Sequence, residues 1–271
     1  MQIVGQQHLR DILLDLKDLP RLLLLVGDRG SGKTEITKLL AQHYNMEFIS
    51  IGNKIDDVRQ LIESSVAVSK PTLFSIGDGD SMTIPAMNAM LKITEEPPKN
   101  VYIVIESTNR INILNTIQSR ATTVYIDSYS QIELEQIYDT NNINNKYKKQ
   151  LLLCCKTPGQ IIEYGTVFDD VYDYAFKVYS NILGVSTGNA FKICNKINLG
   201  KDEDKIELEL FFQCFLQIVR EAIMICDVDD LEKLSKMIRV TCEAIDDLHI
   251  KSTNKKTVFD IWVLDIRRLR N

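Results

Sequence analysis

The chain runs to 271 residues, 45% hydrophobic and 25% charged, with a formal net charge of −5. That is length for one large domain or a few small ones, with the make-up of a soluble globular protein. The acidic surplus excludes a chain that coats nucleic acid by its own charge, and no apolar run nears the ~20 residues that cross a bilayer. Met1-Gln2-Ile3-Val4-Gly5-Gln6 has no basic stretch ahead of an apolar one, so no secretory leader and a cytoplasmic location are expected.

Up to about Asp127, apolar strand-like runs alternate with helical patterns. Leu22–Val26, Glu47–Ile51, Thr72–Ile76, Val101–Ile105 and Thr123–Ile126 are short, rich in Val, Ile, Leu and Phe, and bounded by turn formers. Between them, helices are predicted over Glu35–Tyr44, Ile55–Ser69 and Pro85–Thr94. Near-continuous apolar strands separated by helices imply an α/β fold with a parallel sheet covered on both faces. After Asp127 the strand signal disappears. Ser130–Tyr138 (Ser130 as N-cap), Lys148–Cys155 and Gly159–Tyr164 read as a small helical set, with the loop-like Asn141-Asn142-Ile143-Asn144-Asn145 among them. From about Val171 the pattern is helical again, over Ile206–Ile225, Asp230–Leu248 and Asn254–Leu269, with Asp204, Asp229 and Asn254 as expected caps. Leu199 to Asp204 reads as a charged connector. Three parts follow: an α/β core over 1–127, a helical lid over 128–180 and a helical C-terminal bundle over 181–271.

The six cysteines, Cys154, Cys155, Cys194, Cys214, Cys226 and Cys242, form no C-x-x-C pair and lie in apolar, helix-like sequence. They read as small buried hydrophobes in a reducing compartment. The basic clusters Tyr147-Lys148-Lys149 and Arg267-Arg268-Leu269-Arg270 read as solvated faces.

Gly27-Asp28-Arg29-Gly30-Ser31-Gly32-Lys33-Thr34 is a complete G-x-x-x-x-G-K-[ST] motif. It follows an apolar strand and runs into a helix beginning at Glu35, the context the motif requires. Its glycines let backbone N–H groups converge on phosphate oxygens, and the helix presents its positive end to the anion. Lys33 would reach the β/γ-phosphates, and the Thr34 hydroxyl would ligate Mg²⁺. A bound nucleoside triphosphate is therefore expected. Such a loop needs an acidic partner at the end of a later strand, and the candidates are Asp78 and Asp80, after the run Leu73–Ile76.

Gly77-Asp78-Gly79-Asp80-Ser81-Met82-Thr83, followed by Asn88-Ala89-Met90-Leu91-Lys92-Ile93-Thr94-Glu95-Glu96-Pro97-Pro98, resembles the clamp-loader AAA+ subunits of DNA polymerase III. Those of gamma/tau and delta-prime type read D-E-A-D-x-M-T and then N-A-L-L-K-T-L-E-E-P-P. The likeness continues in order along most of the chain. Val4-Gly5-Gln6 resembles the V-G-Q box beside the adenine, and Thr108-Asn109 the polar tip of the sensor 1 strand. Gln118-Ser119-Arg120-Ala121 resembles the S-R-C motif, and Lys251–Leu269 the last collar helix.

The resemblance implies an AAA+ core, a helical lid and an all-α collar that assembles subunits. It implies ATP and Mg²⁺ as cofactors, with Thr34 and Asp78 toward the metal. Asp78, Asp80, Thr108 and Asn109 would act on the bound phosphate, and Arg120 on a neighbouring subunit's ATP. The implied partners are other clamp-loader subunits in a homo- or hetero-oligomer, a sliding clamp, and primed DNA through the assembled complex, with no membrane. The departures bear on hydrolysis. Gly77 stands where the family has its metal-side Asp, Asp78 where it has Glu, and neutral Gln160 where the lid carries an arginine. Ala121 replaces the S-R-C cysteine, and the four-cysteine zinc module is absent, a trimming consistent with a divergent or viral member. Three readings stay open: an ATP-hydrolysing clamp-loader subunit with a degenerate Walker B motif, a delta-prime-like scaffold that donates Arg120 without turnover, and an unrelated P-loop ATPase.

Overall fold

The computed structural model describes residues 5–6, 9, 13–14, 18–198, 206–250 and 253–270. Val4 and the connector from Leu199 to Asp204, which carried sequence expectations, lie outside the described residues. Contacts divide the chain into two compact units, Met1–Asp139 with Lys156–Gln160, and Thr140–Cys155 with Ile161–Asn271.

The first unit is built on a parallel sheet of five strands: β1 (Leu22–Val26), β2 (Glu47–Ile51), β3 (Thr72–Ile76), β4 (Val101–Ser107) and β5 (Thr122–Tyr125). Their spatial order is β2-β3-β4-β1-β5. The helices are α1 (Lys33–His43), α2 (Ile55–Ser65), α3 (Ile84–Glu95), the one-turn α4 (Asn115–Gln118) and α5 (Gln131–Thr140). β1 shows why a central strand is apolar throughout. Leu22, Leu24 and Val26 join a core with Val58 and Leu61 of α2 and Met87 and Met90 of α3. Leu23 and Leu25 face the other way, onto Ile36, Leu40 and Ala41 of α1. Alternate side chains meet opposite layers, so neither parity can be polar.

The described strands follow the sequence expectation with small shifts. β4 runs on through Glu106 and Ser107, both 1% exposed, and β5 begins at Thr122 rather than Thr123. The helix expected to reach Ser69 ends at Ser65. Ser64 and Ser65 turn their hydroxyls back onto the carbonyls of Leu61 (3.0 Å) and Ile62 (2.7 Å), a local alternative to helix continuation. α3 starts at Ile84, one residue ahead of the expected Pro85, with the Thr83 hydroxyl accepting from Ala86 N (3.4 Å) and the proline in the first turn.

The second unit carries α6 (Lys148–Cys154), the later part of α7 (Pro158–Tyr164), α8 (Phe168–Ile182), α9 (Thr187–Ile193), α10 (Leu208–Ile223), α11 (Val228–Leu248) and α12 (Lys255–Arg268). Two corrections apply. The strand signal does not vanish after Asp127, because Ile197–Asn198 pairs in parallel with Ile206–Glu207, and α10 therefore begins at Leu208 rather than Ile206. The N-cap of α11 is Asp227, with Asp229 inside the first turn. Asn254 caps α12 as expected, accepting from Lys256 N at 2.9 Å. The core gathers around α10 and Trp262, which is 1% exposed and meets Phe211 and Phe215 edge-on at ring distances of 5.5 and 5.0 Å. Trp262 Nε1 donates to Thr241 Oγ1 at 3.1 Å, so the indole is buried with its polar edge satisfied. Cys154, Cys155, Cys194 and Cys214 are buried thiols; burial pushes the Cys194 thiol up to about 12, which keeps it protonated at neutral pH.

Candidate phosphate-binding site

In an open parallel sheet, ligands bind beyond the carboxyl ends of the strands. The C-terminal ends of β1, β3 and β4 carry the motif loop, Gly77–Asp80 and Ser107–Asn109. Gly30 and Gly32 take φ of 78° and 86°, left-handed values that let the loop curl around its own N–H groups. α1 opens on Gly32 with no side-chain cap, so its first-turn amides are not occupied by a capping group. Ser31 is 3% exposed, and its Oγ is buried without a hydrogen-bond partner. A buried hydroxyl left unsatisfied in a loop of converging N–H groups fits a phosphate oxygen as its missing partner.

Lys33 folds back on the loop, its Nζ donating to Gly27 O (2.7 Å) and Asp28 O (2.8 Å). Burial lowers its pKa, opposed by the charges of Glu106, Asp80, Asp28 and Asp78, in that order. The carboxylate that acts most strongly on Lys33 is thus one that sequence reading passed over. Glu106 Oε2 accepts from Thr34 Oγ1 at 2.6 Å, and Oε1 from Ser75 Oγ at 2.8 Å. Thr37 Oγ1 lies 3.0 Å from Oε1 and 2.9 Å from Lys33 O, so its one proton serves either acceptor. Thr34 itself is exposed, its hydroxyl tethered from behind. The overlooked signal was a glutamate closing the apolar run Val101–Ile105 of a central strand, where a carboxylate persists only with partners.

Asp80 has both oxygens engaged by the end of β4. Oδ1 accepts from Ser107 Oγ (2.6 Å) and Asn112 Nδ2 (3.0 Å), and Oδ2 from Thr108 N (2.6 Å). Burial works to raise its pKa, but the hydrogen bonds from Ser107, Asn112 and Thr108 outweigh it, and the carboxyl is held below its ordinary 3.8. Asp80 thus ties the turn after β3 to Thr108 and Asn109. Its contribution to stability is complete above pH 3.8 and lost as pH falls through the lower folded value. Asp80→Asn is expected to cost about 1–3 kcal/mol at pH 7. In urea melts, the gap between parent and variant should narrow as pH drops below the ordinary carboxylate range.

The other expected residues divide as follows. Asp78 is exposed, and Asn53 Nδ2 lies 3.4 Å from its Oδ2. Asn109 Oδ1 accepts from Ile111 N at 3.0 Å, and Thr108 and Asn109 both line a cavity of ≈ 480 Å³. The same cavity is lined by Gly27, Asp28 and Ser31 of the motif loop and by Tyr125–Tyr129, Lys156 and Thr157. That size suits a small-molecule ligand, for which roughly 300–1,000 Å³ is usual. Gly5 abuts the Glu133 side chain, and Gln6 clasps the Asp127 backbone through Nε2 (2.7 Å to O) and Oε1 (3.0 Å from N). Tyr129 OH donates to Ser31 O at 3.0 Å, and burial pushes its pKa up to about 12.

Residues 156–160 strap onto the motif loop. Gly159 N donates to Gly30 O (2.8 Å) and Thr157 Oγ1 to Arg29 O (3.1 Å). A Cβ on Gly159 would sit 2.7 Å from Gly30 Cα, so this approach is open to glycine alone. Gln160 is in the strap, but its Oε1 accepts from Lys156 N at 2.8 Å. Glu35 pairs with Lys38 at 2.7 Å in the exposed first turn of α1. Arg120 donates to Thr116 O and to Glu95 Oε1, both at 2.7 Å. Exposed pairs of that kind are worth about 0.2–1 kcal/mol, a weak restraint on an arginine that would reach another molecule.

The family model described as DNA polymerase III, delta subunit, matches residues 45–130. DNA polymerase III subunit tau of Escherichia coli is 25% identical over 197 residues, covering 59% of this chain and 31% of that protein. Subunit gamma/tau of Mycobacterium tuberculosis is 26% identical over 156 residues, covering 44% of this chain and 27% of its own length. The chain is a relative of the clamp-loader AAA+ subunits of DNA polymerase III. The matches span about a third or less of those two relatives. Among solved structures, a DNA polymerase III gamma subunit-related protein of Thermotoga maritima has a TM-score of 0.59 at 16% identity, covering 98% of this clamp-loader relative and 99% of that chain. The Thermotoga maritima RuvB Holliday junction branch migration motor reaches 0.52 at 17% identity, over 82% of this chain and 77% of its own. Those two likenesses are of fold: the α/β AAA+ architecture with its parallel sheet. Among the described residues, no helix is long and apolar enough to cross a membrane.

Proposed function

We propose that this clamp-loader relative binds ATP at Gly27–Thr34 and works as a subunit in DNA replication, coupling nucleotide binding to the loading of a sliding clamp on primed DNA. The observation that carries the reading is the motif loop itself, with its uncapped helix start and the unpartnered Ser31 Oγ. Lys33 neutralises the β/γ-phosphates once drawn off its own carbonyls. Thr108 and Asn109, fixed by Asp80, face the outer phosphate, and Val4, Gly5 and Gln6 contribute to the base end. The oxygen-rich surroundings, an exposed Thr34 hydroxyl with carboxylates behind and beside it, fit a hard divalent cation such as Mg²⁺, held through Thr34 and Asp78. Such an ion would supply charge neutralisation for the β- and γ-phosphates. Asp78 orients the attacking water, and Arg120 serves a neighbouring subunit's nucleotide. In this reading residues 1–127 are the core, 128–180 the lid and 181–271 the collar through which subunits assemble. The strap at 156–160 senses the loop's shape.

A second reading, a delta-prime-like scaffold that holds ATP without turnover, is favoured by Gly77 and by the neutral Gln160, whose Oε1 accepts from Lys156 N. One experiment separates the two: phosphate release by the full chain with clamp, primed DNA and partner subunits, for parent and Asp78→Asn. Turnover that falls about 10²-fold in the variant supports the first reading. Tight ATP binding with no turnover in either protein selects the second. A stable monomer that ignores clamps and replication subunits sinks both.

A further inference from the structure

We propose that Glu106 has taken over, from the neighbouring strand, the metal-side carboxylate role that Gly77 cannot fill. The inference rests on the ATP-binding reading above and concerns which residue positions the Thr34 hydroxyl for Mg²⁺. A hydroxyl that offers its lone pair to a cation must send its proton to an acceptor on the far side. Thr34 Oγ1 sends it to Glu106 Oε2 at 2.6 Å, while the residue stays exposed on its outer side. P-loop sites ordinarily recruit for this an aspartate at the end of a later strand. Here the turn after β3 has glycine at that point.

Strand register shows why Glu106 can substitute. Ser75 pairs with Val104, and Ile76 with Ile105, so the next β3 residue, Gly77, lies level with Glu106. Side chains alternate along a strand, so position 77 shares a face with Ser75, and Glu106 shares one with Val104. Leu73 and Val104 lie in the same core as Ile36 and Leu40 of α1. A carboxylate at 77 and the one at 106 would therefore enter from adjacent strands, at one level, on the face α1 covers. Ser75 Oγ and Thr37 Oγ1 hold Glu106 in that position. A Cβ at Gly77 meets nothing within 4 Å, so an aspartate can be put back there. Asp80 is unsuited to the role, since both its oxygens serve the end of β4.

The test uses Mn²⁺ as probe, with free ion counted by electron paramagnetic resonance in the presence of a non-hydrolysable ATP analogue and the full chain. Outer-shell partners of this kind are worth roughly 10–100-fold in metal affinity. Glu106→Gln should weaken Mn²⁺ binding by about tenfold or more, yet leave analogue affinity in EDTA no weaker than the parent's, since the change removes a negative charge beside the anion site. Adding Gly77→Asp to that variant should restore metal affinity, an outcome a merely structural role for Glu106 would not give. Unchanged Mn²⁺ affinity in Glu106→Gln, an equal loss of metal-free analogue binding, or no rescue by Gly77→Asp each overturns the proposal. Should Glu106→Gln not fold, Gly77→Asp in the parent decides. No gain in Mn²⁺ affinity is expected, because the role is already filled; a gain of about tenfold or more would show it was vacant and overturn the proposal. A parent that does not bind the analogue at all removes the ATP-binding reading itself, a failure distinct from each of these.

Discussion

Replacing Lys33 with alanine is expected to lower ATP affinity sharply and to cut any phosphate release by about 10²–10³-fold, the usual loss when one preorganised charge partner of a reacting phosphate or oxyanion is removed. The side chain is already partly desolvated, which lowers its pKa, and the carboxylates of Glu106, Asp80, Asp28 and Asp78 push in the opposite direction. Such an ammonium interacts more strongly with an incoming phosphate than one in bulk water. The alanine variant would also leave Glu106 without the cation nearest to balancing it, so anion binding should suffer beyond the loss of a single contact. Lys33→Arg should not restore function, because a planar guanidinium cannot occupy the compact geometry that bonds Gly27 O and Asp28 O. Calorimetric titration with ATP, alongside a phosphate-release assay, reads both effects. Equal affinity in parent and Lys33→Ala would mean that the loop is not the nucleotide site.

The second large effect is expected in the core of the second unit. Trp262→Ala should destabilise the second unit by about 3–5 kcal/mol, the range for emptying a large aromatic site in a packed core. The indole is ringed by Phe211, Phe212, Phe215 and Phe259, with centroids between 5.0 and 6.1 Å away, and α10 beneath it is buried along most of its length. Collapse is resisted because these rings hold one another in place. Thr241→Val makes a graded companion: it removes the acceptor of the indole N–H while keeping volume, and should cost about 1–3 kcal/mol. Urea unfolding followed by tryptophan fluorescence reports the Thr241 variant directly, since this is the chain's one tryptophan. Far-ultraviolet circular dichroism serves for Trp262→Ala. A shift below about 1 kcal/mol in the latter would contradict a tightly packed site.

The architecture was legible wherever residue chemistry and local geometry coincide. Leu22–Val26, Glu47–Ile51 and Thr72–Ile76 end where the apolar runs end, because turn formers bound them. The motif loop was legible for the same reason: its glycines are demanded by backbone shape within a single segment. Glu106 was not, since its importance depends on Thr34 and Ser75, brought to it by strand order β2-β3-β4-β1-β5, which no local pattern reveals. Asp80 was legible in part: its place in an acidic turn marked it as a candidate, but no local pattern shows that Ser107 at the end of β4, and Thr108 and Asn112 beyond it, donate to its carboxylate. The cap of α11 was displaced by two residues because Asp227, Asp229 and Asp230 offer equivalent chemistry, and only the chain path selects among them.

The approach of Gly159 to Gly30 also constrains how this chain can vary. Each position forbids a side chain at the other, since a Cβ on Gly30 would lie 3.2 Å from Gly159 Cα and the reverse contact is shorter still. In evolutionary terms the two distant codons behave as one character. A lineage that lets go of glycine at either place must also loosen the contact between the motif loop and residues 156–160.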